Sequence, residues 1–168
     1  MSMEIRRMTL EDVPAVVELD SLSFSLPWPE RSFRFELTEN SASRCWVVEL
    51  DGKIVGMLVA WLLVDEAHIA TIATHPDHRR QGIARNLLAY ALRYMSKEGA
   101  VTSFLEVRES NTAAQELYRQ FGYEAVGKFD LFMQSDACAN DLFSFGDRVI
   151  ATLDIDISRL FMDLDRAS

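Results

Sequence analysis

The chain predicts a three-layer α/β domain of the α+β kind, in which helices cover both faces of a mixed, mostly antiparallel sheet. Three observations lead there. β-rich runs and amphipathic helical runs interleave in the order α, α, β, β, β, α, β, α, β, β. Asp51-Gly52, between two such β runs, is a strong hairpin signal and makes that part of the sheet antiparallel. With 168 residues, 49% apolar and 26% charged, the chain is long and apolar enough for a single folded domain spanning 1–168.

Each element has its own reason. Thr9-Leu10-Glu11-Asp12 reads as a helix start capped by Thr9 or Asp12, with Val13, Val16, Val17 and Leu19 supplying the apolar face. Pro27-Trp28-Pro29 interrupts it, and Phe33, Phe35 and Leu37 mark a second short helix ending near Asn40. Residues 44–50 and 53–63 are the strands of the hairpin, and a third strand over 68–74 is stopped by Pro76. From Ile83, Leu87, Leu88, Ala91, Leu92 and Met95 recur at helical spacing until Gly99. Residues 101–107 alternate as a strand. Asn111 or Thr112 then caps a helix, Thr112 forming a capping box with Gln115, and Gly122 ends it. Residues 123–127 begin a further strand and 149–157 form the last. Between them, 130–148 read as a loop insertion, and the residues after 157 as an added tail.

Composition narrows the function. A net charge of −9 and a pI near 4.8 argue against nucleic-acid binding and are compatible with a cationic substrate. Met1–Arg7 lacks the apolar segment of a secretory signal, and no run reaches the roughly 20 apolar residues of a membrane span. Cys45 and Cys138 have no metal-ligand spacing and read as free thiols of a cytoplasmic protein. His68, His75 and His78 crowd together without a Cys or HExxH partner, so no metal is expected.

Against this acidic background stands Arg79-Arg80-Gln81-Gly82-Ile83-Ala84, with Arg85 and Arg93 nearby. It joins the apolar strand to the amphipathic helix. Strand, glycine turn and helix make a phosphate cradle, because the first N–H groups of a helix are unpaired and carry the positive end of its dipole. Gly82 allows a phosphate to approach where a Cβ would obstruct it. Neither GxxxxGK[ST] nor GxGxxG is present, so the ligand is not one of those loops' nucleotides.

A second group of residues follows. Glu106 lies between Leu105 and Val107 at the end of an apolar strand, where partial desolvation would favour a general base; it would equally suit an ion pair with Arg108. Tyr118 lies seven residues after Asn111, two helical turns, so both point to one face; it would equally suit a core aromatic.

Arg79-x-x-Gly82-x-Ala84, followed by Leu105-Glu106-Val107-Arg108, Ser110-Asn111, Ala113-Ala114, Leu117-Tyr118 and Phe121-Gly122-Tyr123, resembles the GCN5-related N-acetyltransferase (GNAT) family. Within it the chain resembles the bacterial ribosomal-protein N-terminal acetyltransferases (RimI type) and their archaeal relatives. The resemblance covers about residues 3–127. It implies a GNAT-like fold and acetyl-CoA as donor, with the pyrophosphate gripped by Arg79, Arg80, Gln81, Gly82, Ile83, Ala84 and Arg85. It further implies that Ile72, Ala73 and Thr74 offer backbone groups to the pantetheine arm and that Asn111 hydrogen-bonds the cofactor. Glu106 falls at the general base and Tyr118 at the acid that protonates the thiolate.

Phe24, Leu26, Pro27 and Trp28 resemble the family's first substrate loop. Lys128-Phe129-Asp130-Leu131-Phe132 departs from the Tyr-Tyr-Pro-like turn that relatives carry there. The expected acceptor is the α-amino group of a protein N-terminus such as that of a ribosomal protein. An α-amine titrates near 7.7–8.0 against about 10.4 for lysine, which makes it roughly 3.5 kcal/mol easier to deprotonate. A small amine such as a polyamine, amino acid or aminoglycoside is the alternative, and a non-catalytic acetyl-CoA-binding module a third. A monomer and a homodimer are equally compatible with the sequence.

Overall fold

The structure is a computed structural model that describes residues 2–129 and 148–154. Seven described strands form one sheet. They are β1 (Met3–Arg7), β2 (Ser43–Leu50), β3 (Lys53–Leu63), β4 (Glu66–Thr74), β5 (Thr102–Arg108), β6 (Glu124–Phe129) and β7 (Arg148–Asp154), in the spatial order β1-β2-β3-β4-β5-β7-β6. Each neighbouring pair is antiparallel except β4 and β5, which run parallel. The expected mixed, mostly antiparallel sheet is therefore present. Of the expected insertion at 130–148, residues 130–147 lie outside the described residues, as do the end of the last strand at 155–157, Cys138 and the tail, while Arg148 opens β7.

Helices α1 (Val13–Ser23) and α2 (Glu30–Thr38) cover one face, where Val13, Val16, Leu19 and Phe33 pack on Cys45, Val47, Met57, Val59 and Ala73. Helix α3 (Ile83–Lys97) covers the other. Its Ile83, Leu87, Leu88, Leu92 and Met95 pack on Trp46, Val48, Leu58 and Ile69, joined by Tyr118 of α4 (Thr112–Phe121). Burying a leucine-sized side chain is worth about 1.5–3 kcal/mol, so these two clusters hold the layers together.

Four local expectations change. Strand β1 was absent from the sequence reading because Met3-Glu4-Ile5-Arg6-Arg7 has little apolar alternation. It exists because β2 supplies a ladder and because Arg6 donates to Glu49 at 2.9 Å and to both oxygens of Asp12 at 2.8 Å. Asp12 consequently does not cap α1. A 3-10 turn over Leu10–Asp12 precedes that helix, and the Asp12 carboxylate accepts from Arg6 and from the Thr9 N–H instead. The Thr112–Gln115 capping box is not formed. Asn111 caps α4 by accepting the Ala114 N–H at 3.1 Å, while Gln115 donates to the carbonyls of Arg108 and Glu109. Of the residues that marked α2, Phe33 is buried but Phe35 is 48% exposed, since positions two apart cannot share a helix face.

Candidate active site

The site begins with a defect in the sheet. Strand β4 pairs with β5 only from Glu66↔Thr102 to Ile69↔Leu105, yet β4 continues to Thr74 and β5 to Arg108. On its other edge β4 stays paired with β3 as far as Gly56↔Thr74, with Ala70 left out of register as a bulge between Ile69 and Thr71. A bulge bends and twists its strand, and here the two parallel strands part where it occurs. The backbone edge of Ile72, Ala73 and Thr74 facing β5 is thus free of ladder bonds to that strand. The Thr74 hydroxyl is also shielded from solvent without a hydrogen-bond partner. Such an orphan donor, at the end of the free edge, fits a polar ligand lying in the gap.

From Thr74 the chain passes through a 3-10 turn, Pro76–His78, to the arginine-glycine loop. Arg80 (φ +64°) and Gly82 (φ +77°) are both left-handed, and Gly82 is the residue from which α3 starts. The first intrahelical bond runs from the Asn86 N–H to the Gly82 carbonyl, which leaves the earlier N–H groups of α3 pointing out of the helix end. Arg79, Arg80 and Arg85 are exposed around them, with the Arg79 Nε–H within 3.4 Å of the Thr74 carbonyl. Arg93 does not belong to this cradle. It is half-buried ten residues into the helix, about 15 Å from its start at 1.5 Å per residue.

Gly56 was missed by the sequence reading, although a glycine inside an apolar strand is a signal of close backbone approach. A Cβ on Gly56 would stand 3.0 Å from Ile83 Cγ2 and 3.2 Å from Val48 Cγ2. The first residue of α3 is thereby seated directly on β3, which fixes where the helix end points.

Glu106 comes from β5. Leu105 and Val107 are buried toward α3, so alternation turns Glu106 to the α1/α2 face. It is exposed there, which corrects the expectation of a desolvated strand-end carboxylate: the parting of β4 from β5 opens this end of the strand. Next to it on the parallel strand lies His68, paired in register with Phe104 and stacked edge-on against Trp61 at 5.1 Å. Burial holds the His68 imidazole below its ordinary value, against the opposing pull of Glu106 and Glu66, so the ring is neutral at pH 7. Of the three histidines crowded in the sequence, His68 alone reaches this place; His75 and His78 stack on each other in the turn, 5.8 Å apart.

Tyr118 is 7% exposed on the opposite side of the sheet, its ring 5.7 Å from that of Tyr123. Burial raises its phenol to about 12, so it keeps its proton at neutral pH. Asn111, by contrast, is exposed at the helix start. The two therefore do not share the single face expected from their spacing, because Asn111 is the cap rather than part of the helix.

The loop carrying Pro27 and Trp28 is held from beneath. Asp20, fully buried on α1, accepts the Trp28 N–H at 2.6 Å, and burial pushes its carboxyl above the ordinary aspartate value. Phe24 and Trp28 pack on the α1/α2 cluster, with Trp28 5.4 Å from the Phe33 ring, while Pro27 is exposed. Asp130, Leu131 and Phe132, the segment departing from the family pattern, lie outside the described residues. Among the described residues no helix is long and apolar enough to cross a membrane.

Comparison with known proteins agrees with this geometry. Residues 13–123 match the acetyltransferase (GNAT) family. The chain is 38% identical over 123 residues, 73% of its length and 82% of the other's, to a Bacillus subtilis (strain 168) protein named provisionally as a ribosomal protein bS18-alanine N-acetyltransferase. It is 32% identical over 128 residues, 71% of its length and 79% of the other's, to the Escherichia coli (strain K12) protein of that name. The crystal structure of the E. coli ribosomal-protein-S18-alanine N-acetyltransferase superposes with a TM-score of 0.79 at 27% identity, covering 92% of this chain and 95% of that one.

Proposed function

Since the chain belongs to the GNAT family and is an acetyl-CoA-dependent N-acetyltransferase, we propose that its acceptor is the α-amino group of a protein N-terminus. The named substrate of its relatives makes an alanine-terminated ribosomal protein, bS18, the leading candidate, acetylated in the cytoplasm. The observation that carries the reading is the parting of β4 and β5, with Glu106 on the same face as the Trp28 loop and the Gly82 cradle at the start of α3.

The donor supplies a thioester carbonyl. In this reading the N–H groups at the start of α3, with Arg79, Arg80, Gln81, Gly82, Ile83, Ala84 and Arg85, hold its pyrophosphate, and backbone groups of Ile72, Ala73 and Thr74 orient its arm. Asn111, with its Oδ1 occupied in capping, has its amide N–H₂ to donate to the donor. Glu106 removes one proton from the acceptor ammonium so that the nitrogen lone pair can form the new N–C bond. Tyr118, neutral at working pH, gives its phenolic proton to the sulfur as the C–S bond breaks; the nitrogen sheds its second proton as the amide forms, the phenolate recovers one, and the net proton released leaves through Glu106 to solvent. An exposed carboxylate suits an α-amine, whose deprotonation costs roughly 3.5 kcal/mol less than a lysine's.

Thiol release measured against alanine-terminated peptides, lysine peptides and small amines tests this. Turnover is expected with the first class, and Glu106→Gln lowers it by about 10²-fold or more at neutral pH. Turnover confined to small amines, or a Glu106→Gln enzyme with an unchanged pH–rate profile, overturns the assignment.

A further inference from the structure

A groove of about 550 Å³ lies beside the acceptor loop, lined by Trp28, Arg31, Phe35, Glu36, Glu39 and Trp61 among others. Its contents do not follow from acetyl transfer. Glu36 is 8% exposed, an unusual place for a carboxylate, and is held rigidly: Oε2 accepts from Trp61 Nε1 at 3.0 Å and from Asn40 Nδ2 at 2.9 Å. Among the described residues those two donors are its only hydrogen-bond partners, so Oε1 remains for a ligand. Around it stand the rings of Trp28, Phe35 and Trp61, the first and last half-buried and Phe35 48% exposed.

We propose that this groove receives one arginine or lysine side chain of the acceptor protein, downstream of its reacting N-terminus, with Glu36 as counter-ion. The inference rests on the protein-acceptor reading above. Two carboxylates, Glu36 and Glu39, face one guanidinium, Arg31, so the lining is net negative within a chain of net charge −9. Aromatic faces about a fixed carboxylate favour a cation through charge pairing and ring quadrupoles together. An apolar side chain would strip water from Glu36 and return no hydrogen bond, which is costly. The groove also lies along the acceptor's path: Trp28 belongs to the acceptor loop, and Trp61 touches His68, which lies on the strand beside Glu106.

The test uses alanine-terminated peptides in which a single arginine is walked through positions 2–6 of a serine-glycine background, with citrulline as its neutral isostere. At one position arginine is expected to lower KM about tenfold relative to citrulline, with kcat changed less than twofold and lysine intermediate. In Glu36→Gln, whose amide oxygen can still accept from Trp61, the arginine-to-citrulline ratio falls to within twofold. Phe35→Ala, a change at an exposed ring, reduces the same ratio. Equal KM values for arginine and citrulline at every position, or a ratio preserved in Glu36→Gln, overturn the proposal while leaving the acceptor reading intact. An enzyme that turns over none of these alanine-terminated peptides overturns both.

Discussion

Replacing Gly82 with alanine separates the cradle's ligand from its fold. Gly82 has φ +77°, and a Cβ built there meets no protein atom within 4 Å. The cost to folding is therefore conformational alone, about 1–2 kcal/mol for an L-residue held left-handed. For a chain of this size that lowers Tm by about 2–4 °C per kcal/mol. The open space around the glycine is the space a pyrophosphate would fill, so the added methyl meets the ligand rather than the protein. We expect the Kd for CoA, measured by calorimetry, and the KM for acetyl-CoA to rise at least tenfold, about 1.4 kcal/mol. The acceptor KM should stay within twofold. A Gly82→Ala protein with lowered Tm but CoA affinity unchanged within twofold would refute the assignment of this turn as the phosphate grip.

Gly56→Ala acts on the same helix end from below. Its Cβ, 3.0 Å from Ile83 Cγ2 and 3.2 Å from Val48 Cγ2, crowds the residue that opens α3 and is expected to cost about 1 kcal/mol and to raise the acetyl-CoA KM; Ile83→Leu, which removes the nearer branch, should recover part of both in a thermal melt and a kinetic assay. Asp12→Asn should cost about 2 kcal/mol at pH 7, since two charge-assisted bonds to Arg6 weaken. Hydrogen bonds from Arg6 hold the Asp12 carboxyl below 3.8 in the folded state, so the native chain binds this proton less readily than the unfolded one. That stabilisation is complete above the unfolded value and is lost as pH falls through the folded one. In urea melts the gap between wild type and Asp12→Asn should hold from pH 7 to 5 and narrow below about 3.8; a gap constant down to pH 3 would contradict it.

Where an element has its own periodicity or turn chemistry, the sequence was sufficient. The amphipathic run from Ile83, the Asp51-Gly52 hairpin and the left-handed Gly82 turn all formed where local pattern placed them, because a helix stripe or a positive φ is encoded within a few residues. The motif residues were legible for the same reason: Arg79 to Ala84 and Glu106 to Tyr118 stand close together in the chain.

What depended on distant partners was not legible. Strand β1 needs β2 and the Arg6 bonds, and the capping roles of Asp12 and Asn111 were decided by the partners their side chains reached. The exposure of Glu106 follows from strands that part after Leu105, a property of two segments some thirty-five residues apart. The placement of His68 beside it, the seating of Ile83 on Gly56 and the meeting of Glu36 with Trp61 are likewise contacts across the sheet. The sequence alone determined the fold class and the place of the arginine-glycine turn before α3, since backbone geometry and helix dipoles are local. Only the tertiary structure decided what surrounds Glu106 and where a cationic side chain could lie, since burial and charge pairing are set by residues that meet only after folding.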